Sequence, residues 1–109
     1  MTEHAVVEAR TVEGVQVVSI SGEVDLANAT EVRDAISRIA SADVSVIVVD
    51  LSKTAYLDSS GIAMLFRLAE RLVERRQELR LVVPLDSPIR AALELTNLPS
   101  TLPVRDELD

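Results

Sequence analysis

The stretch Val46-Ile47-Val48-Val49-Asp50-Leu51-Ser52, running on through Tyr56-Leu57-Asp58-Ser59-Ser60-Gly61, decides the fold. Residues 45 to 51 are a nearly continuous apolar run too short for a typical helix, which predicts a strand covered on both faces in a parallel or mixed sheet. Beyond Gly61 the period changes. Ile62, Leu65, Phe66, Ala69, Leu72 and Val73 recur at helical steps and predict an amphipathic helix with that set toward the core. Its N-terminus falls at Asp58 or Ser59, depending on which of them caps it, and either way Ser60 lies in the first turn. A phosphate on a hydroxyl there would meet backbone N–H groups that have no intrahelical partner and the positive end of the helix dipole. A serine beside a helix start commonly does no more than cap it, so the remainder of the chain has to separate the two roles.

On the N-terminal side, residues 5 to 10 and 15 to 21 are β-branched and partly alternating, which predicts two strands joined by a tight turn at Glu13-Gly14. After Gly22-Glu23-Val24-Asp25, Asn28 precedes Glu31 by three residues, the spacing of a capping box. A helix is expected from there, with Val32, Ala35, Ile36, Ile39 and Ala40 inward and Asp34 paired with Arg38 outside that stripe. On the C-terminal side, residues 79 to 83 read as a strand stopped by Pro84. Ser87-Pro88 has the cap-then-proline order that starts a third helix, through about Leu95, which Asn97 and Pro99 end. A short last strand over 102 to 105 precedes the acidic tail 106 to 109.

These elements predict one α/β domain with its core over about residues 5 to 105. The mixed sheet has four to five strands, opens with a β-hairpin and packs against three to four α-helices. A helix between the strands at 15 to 21 and 45 to 51 implies that they run parallel. Their carboxyl ends then share one edge of the sheet, and the loops 22 to 28 and 52 to 58 become neighbours there.

Composition narrows the function. The chain has 109 residues, 48% of them hydrophobic, a net charge of −7 and no cysteine. Disulfides, thiolate metal sites and thiol switches are excluded. The acidic balance argues against nucleic acid and against direct membrane binding, and favours a partner with a basic surface. No run of about 20 apolar residues and no basic-then-apolar leader pattern occurs, so a cytoplasmic protein is expected. Arg67, Arg71 and Arg75 share a helical face and could suggest an anion site, but Glu70, Glu74 and Glu78 interleave with them, which reads as a solvated, salt-bridged surface.

Enzyme chemistry finds little support. A nucleophilic serine needs a base, and the only imidazole is His4, near the N-terminus. The carboxylates show no metal-ligand spacing, and Gly14, Gly22 and Gly61 make no phosphate-cradling loop, so neither a metal nor a cofactor is expected. Asp50, at the end of the buried strand, could be a phosphoacceptor of the response-regulator kind. Such a site needs paired carboxylates and a lysine after a later strand, whereas the first strands here end in Arg10 and Ser21-Gly22, and Lys53 is three residues from Asp50. Asp50 is expected instead to shape its own loop by accepting from backbone N–H groups.

Ser21-Gly22-Glu23-Val24-Asp25, Val49-Asp50-Leu51-Ser52, Leu57-Asp58-Ser59-Ser60-Gly61-Ile62 and Leu81-Val82-Val83-Pro84 stand in the order and approximate spacing of STAS domains. The chain resembles the bacterial anti-sigma factor antagonists in particular, over about residues 5 to 105. The resemblance implies partner switching. An unmodified antagonist binds an anti-sigma factor that is also a serine kinase, freeing a sigma factor; phosphorylation ends the binding and a phosphoserine phosphatase restores it. By the same resemblance the acceptor is Ser60, with Ser59 as the alternative. Asp58 corresponds to the acceptor's acidic neighbour and Asp25 to a partner contact, with Gly22 and Glu23 in the same loop. Ser59, Gly61 and Ile62 complete the expected docking face. STAS domains also serve as non-switching modules in stress-signalling scaffolds and membrane-transporter assemblies, the other function left open.

Overall fold

The computed structural model describes residues 5–40, 44–95 and 104–105, and contains the strands β1 (Ala5–Val12), β2 (Val15–Val24), β3 (Val46–Asp50), β4 (Thr54–Leu57), β5 (Glu78–Val82) and β6 (Val104–Arg105). The helices are α1 (Ala29–Ile39), α2 (Ser59–Glu74) and α3 (Arg90–Glu94). The main path of the sheet is β1-β2-β3-β5-β6, antiparallel between β1 and β2 and parallel thereafter, with β4 beside β2 off that path. The mixed α/β architecture and the parallel β2–β3 pair follow the reading of the sequence. The expected acidic tail and the end of the third helix at Asn97 and Pro99 lie outside the described residues.

The opening hairpin closes where Val12 pairs with Val15. Glu13 and Gly14 between them have φ of 51° and 83°. Two left-handed residues in a two-residue loop make the type I′ geometry whose twist matches the flanking strands. A side chain at Gly14 would meet nothing within 4 Å, so the glycine serves the backbone angle rather than packing.

Alternation along the central strands explains the apolar run in β3. Val18, Ile20, Ile47, Val49, Leu79 and Leu81 join the main core beneath the helices, while Val17, Val48 and Val82 form a smaller cluster on the other face. Both faces of β3 are therefore apolar. Truncating a core residue such as Leu68 or Leu72, each fully buried, to alanine should cost about 2 to 5 kcal/mol.

Several local expectations need correction. The strand β2 continues to Val24, three residues past its predicted end, so the Gly-Glu-Val segment is strand rather than loop. Thr54–Leu57, expected in a loop, is a strand because β2 offers those residues a free edge beyond β3. The buried set of α2 is Gly61, Met64, Leu65, Leu68, Ala69 and Leu72, and Val73 is 68% exposed. The core-facing stripe thus begins at Gly61, with Ile62 and Phe66 half-buried at its margin. Ser87-Pro88 opens only a turn: the Ser87 hydroxyl oxygen accepts from Ile89 N–H at 3.3 Å, and the helix proper starts at Arg90. Asp34 pairs with its neighbour Arg33 at 3.3 Å rather than with Arg38. On the face carrying Arg67, Arg71 and Arg75, exposed as predicted, no ion pair forms among the described residues; Glu78 has left the helix and pairs with Arg80 at 3.0 Å.

The end of α2 turns the chain into β5. Arg76 adopts φ 61°, Gln77 N–H donates to Leu72 C=O at 2.8 Å, and Arg76 N–H donates to Val73 C=O at 2.9 Å. That pair of bonds is the Schellman closure, here built without glycine. No helix among the described residues is long and apolar enough to cross a membrane.

Candidate functional site

The strand β2 pairs with β3 from Gln16 to Ser19, then with β4 from Gly22 to Val24. The register shifts between Gly22 and Glu23, and Gly22 has φ 99°, a value that strongly favours glycine. Gly22 N–H donates to Lys53 C=O at 3.0 Å, and the buried Thr54 hydroxyl donates to Ile20 C=O at 2.7 Å. These bonds bring the ends of β2 and β4 side by side, so both helices that follow them start at one edge of the sheet. Asp50 lies back from that edge. Its Oδ1 accepts from Ser52 N–H at 3.0 Å and from the Ser52 hydroxyl, and its other oxygen lies 3.4 Å from Arg10, the loop-shaping role expected of it.

At the start of α1 the capping box does not form. Asn28 occupies the N-cap position, but its side chain makes no cap bond and turns back into the preceding loop, where it is 2% exposed. Its Nδ2 donates to Glu23 C=O at 2.9 Å and its Oδ1 accepts from Asp25 N–H at 2.9 Å. Asp25 Oδ1 in turn accepts from Ala27 N–H at 3.0 Å, and Asp25 C=O accepts from Ala29 N–H at 2.8 Å. Every one of these bonds fixes the loop that presents Glu23, which is exposed, and Asp25, which is partly so. The acidic loop is rigid because one buried amide satisfies its backbone.

At the start of α2 the cap is Asp58. Its Oδ1 accepts from Gly61 N–H at 3.0 Å and its Oδ2 accepts from Leu26 N–H at 3.3 Å. One carboxylate therefore caps one helix and ties down the loop entering the other. Gly61 is buried where a Cβ would stand 2.9 Å from Leu57 Cγ and 3.2 Å from Val24 C=O. That close approach seats the first turn of α2 on the ends of β2 and β4 and sets the rotation of the helix. Ser59 then faces outward, exposed, while Ser60 is half-buried.

Ser60 lines an open cavity of about 220 Å³ between α1 and α2, together with Leu26, Ala29, Thr30, Arg33, Ala63, Met64 and Arg67. Of the residues expected at the docking face, Gly22, Glu23, Asp25, Asp58, Ser59, Ser60 and Gly61 do gather at this edge. Ile62 is half-buried and packs against the main core. Leu26, 81% exposed, stands beside Ser60 at the mouth of the cavity. Its exposure, the burial of Asn28 and the place of Arg33 were absent from the reading of the sequence, which set Arg67 on a solvated face. Only Asn28 had a signal, a polar residue before an apolar stripe, and that signal pointed to the wrong hydrogen bond.

The chain matches the family model described as the STAS domain over residues 6–109, and belongs to that family. Among curated proteins it is 36% identical over 59 residues to the anti-sigma-F factor antagonist RsfB of Mycobacterium tuberculosis, a match covering 54% of this chain and 48% of that protein. The chain spans about half the length of the curated relatives it matches. A crystal structure of an anti-sigma factor antagonist from Mycobacterium paratuberculosis superposes with a TM-score of 0.79 at 29% identity, covering 96% of this chain and 88% of that one. The unphosphorylated form of the anti-sigma factor antagonist SpoIIAA superposes at 0.70 with 19% identity, covering 94% and 90%, a likeness of fold alone.

Proposed function

We propose that this chain is a cytoplasmic, non-catalytic anti-sigma factor antagonist. Unmodified, it binds an anti-sigma factor with serine kinase activity and so frees a sigma factor; phosphorylation of Ser60 ends that binding, and a phosphoserine phosphatase resets it. The observation that carries the reading is the single edge where the loop bearing Glu23 and Asp25 is tied through Leu26 to Asp58, the cap of the helix whose first turn holds the half-buried Ser60. That Ser60, and not Ser59, lines an open cavity supports it over Ser59 as the acceptor. The carboxylates suit a basic docking surface.

Phosphorylation adds about −1.5 to −2 charges and three acceptor oxygens. In the free domain the dipole of α2 offsets repulsion from Asp58 by about 0.3 to 1 kcal/mol, so the fold survives. Under a docked partner an unpaired charge costs about 3 to 5 kcal/mol, a loss of affinity of roughly a hundredfold or more.

The test is incubation with candidate anti-sigma kinases and ATP, followed by mass spectrometry of the modified residue. Modification at Ser60 is the expected result. Modification at Ser59 alone would move the acceptor, and absence of serine phosphorylation across the candidates would favour a non-switching scaffold or transporter module.

A further inference from the structure

The cavity beside Ser60 carries two guanidinium groups. Arg33 lines it from α1 and Arg67 from α2, together with the small residues Ala29, Thr30 and Ala63. Arg67 follows Ser60 by seven residues, two helical turns on the same face, and side chains on a helix lean toward its N-terminus, here toward Ser60. Arg67 is exposed and makes no ion pair among the described residues. Arg33 contacts its neighbour Asp34 through Nε at 3.4 Å and a terminal nitrogen at 3.3 Å, with side chains 23% and 45% exposed; both nitrogens share one carboxylate oxygen, which leaves the rest of the guanidinium free to meet a phosphate. A cavity of about 220 Å³ has room for several waters, at about 30 Å³ each, and so for a phosphoryl group.

We propose that Arg33 and Arg67 form a receiving site for the phosphoryl group of Ser60, which folds into the groove between α1 and α2 and is held there by both guanidiniums. The inference rests on Ser60 as the acceptor and adds a second element to the switch. A dianion held between two arginines is partly neutralised within its own domain, so the bulk of the phosphoryl group in the groove takes over part of the rejection that unpaired charge would otherwise supply. Lys and Arg are not equivalent in such a site, because only the planar fork of arginine can hold two phosphate oxygens at once.

The charged groups that bear on the phosphate come from three elements. Arg33 and Asp34 belong to α1. Asp58, at the cap of α2, and Asp25, in the loop before α1, oppose the dianion, while Arg67 favours it. Glu70 and Arg71 stand about one turn beyond Arg67.

The proposal is tested by installing phosphoserine at position 60 through site-specific incorporation, which needs no kinase, and following its second ionisation by phosphorus NMR. In the otherwise unaltered protein the midpoint should fall about 0.5 to 1 unit below the ordinary value of about 6. It should return to about 6 or above in Arg33→Gln/Arg67→Gln, which keeps the carboxylates Asp25, Asp34 and Asp58 but removes both guanidiniums. Arg67→Lys should recover part of the shift, and Arg71→Gln should leave it unchanged. Amide spectra of each variant check that the fold is kept. Identical midpoints with and without the two arginines would overturn the receiving site. If the titration depends on the arginines while the phosphorylated protein still binds its anti-sigma factor, the receiving site stands and the switch falls; release of the partner with an arginine-independent titration gives the reverse.

Discussion

The starts of α1 and α2 lie at the same edge of the sheet, both begin with a residue suited to capping, and they use it in opposite ways. Asn28 turns its amide away from α1 and closes the loop behind it, bonding Glu23 C=O and Asp25 N–H. Asp58 faces forward, caps α2 at Gly61, and reaches across to Leu26 with its second oxygen. The first arrangement makes a sealed acidic loop of fixed shape; the second leaves a helix turn with Ser59 at the surface and Ser60 half-buried beside an open groove. A docking face needs the rigidity of the one, and a modification site needs the openness of the other.

Substitutions can break this contrast, and the largest loss should follow at the sealed side. Asn28→Ala empties a buried position and leaves two part-buried backbone groups without partners, and should cost about 2 to 3 kcal/mol, measured by urea unfolding, with the 22–28 loop losing amide protection. Gly61→Val forces a side chain onto Leu57 and Val24 C=O and should cost about 1 to 3 kcal/mol while leaving that loop's own bonds intact. Asp58→Ala removes a cap that is partly open to water and should cost about 1 kcal/mol, with Asp58→Asn recovering much of it. At the open side, Ser59→Ala should shift stability by less than about 0.5 kcal/mol, because the residue is exposed. If Ser59→Ala destabilised the fold as much as Asn28→Ala, the distinction between sealed and open starts would fail.

The same contrast marks what the sequence made legible. The central strand and the hairpin were readable because their signals are local: an apolar run covered on both faces, and Glu13-Gly14 between alternating residues. The strand β4 was not, since its four residues become a strand only through the free edge of β2. The phase of α2 was misread by weighting its bulky residues, when a glycine in contact with Leu57 sets the rotation and leaves Val73 outside. Asn28 carried the spacing of a capping box, yet the backbone of Glu23 and Asp25, five and three residues upstream, took its side chain. The edge that gathers Asp25, Asp58 and Ser60 was foreseeable from parallel strands. The pairing of Arg33 with Arg67 around Ser60 was not, because it depends on how two helices lie against each other.

The central claim is that phosphate on Ser60 closes a docking face without disturbing the domain. Isothermal titration of the anti-sigma factor with the protein bearing serine, alanine or phosphoserine at position 60 tests it most directly. Ser60→Ala should bind like the unmodified protein, and the phosphorylated form at least about a hundredfold more weakly, with amide spectra changed only around the groove. Equal affinity of the phosphorylated and unmodified forms would contradict the account.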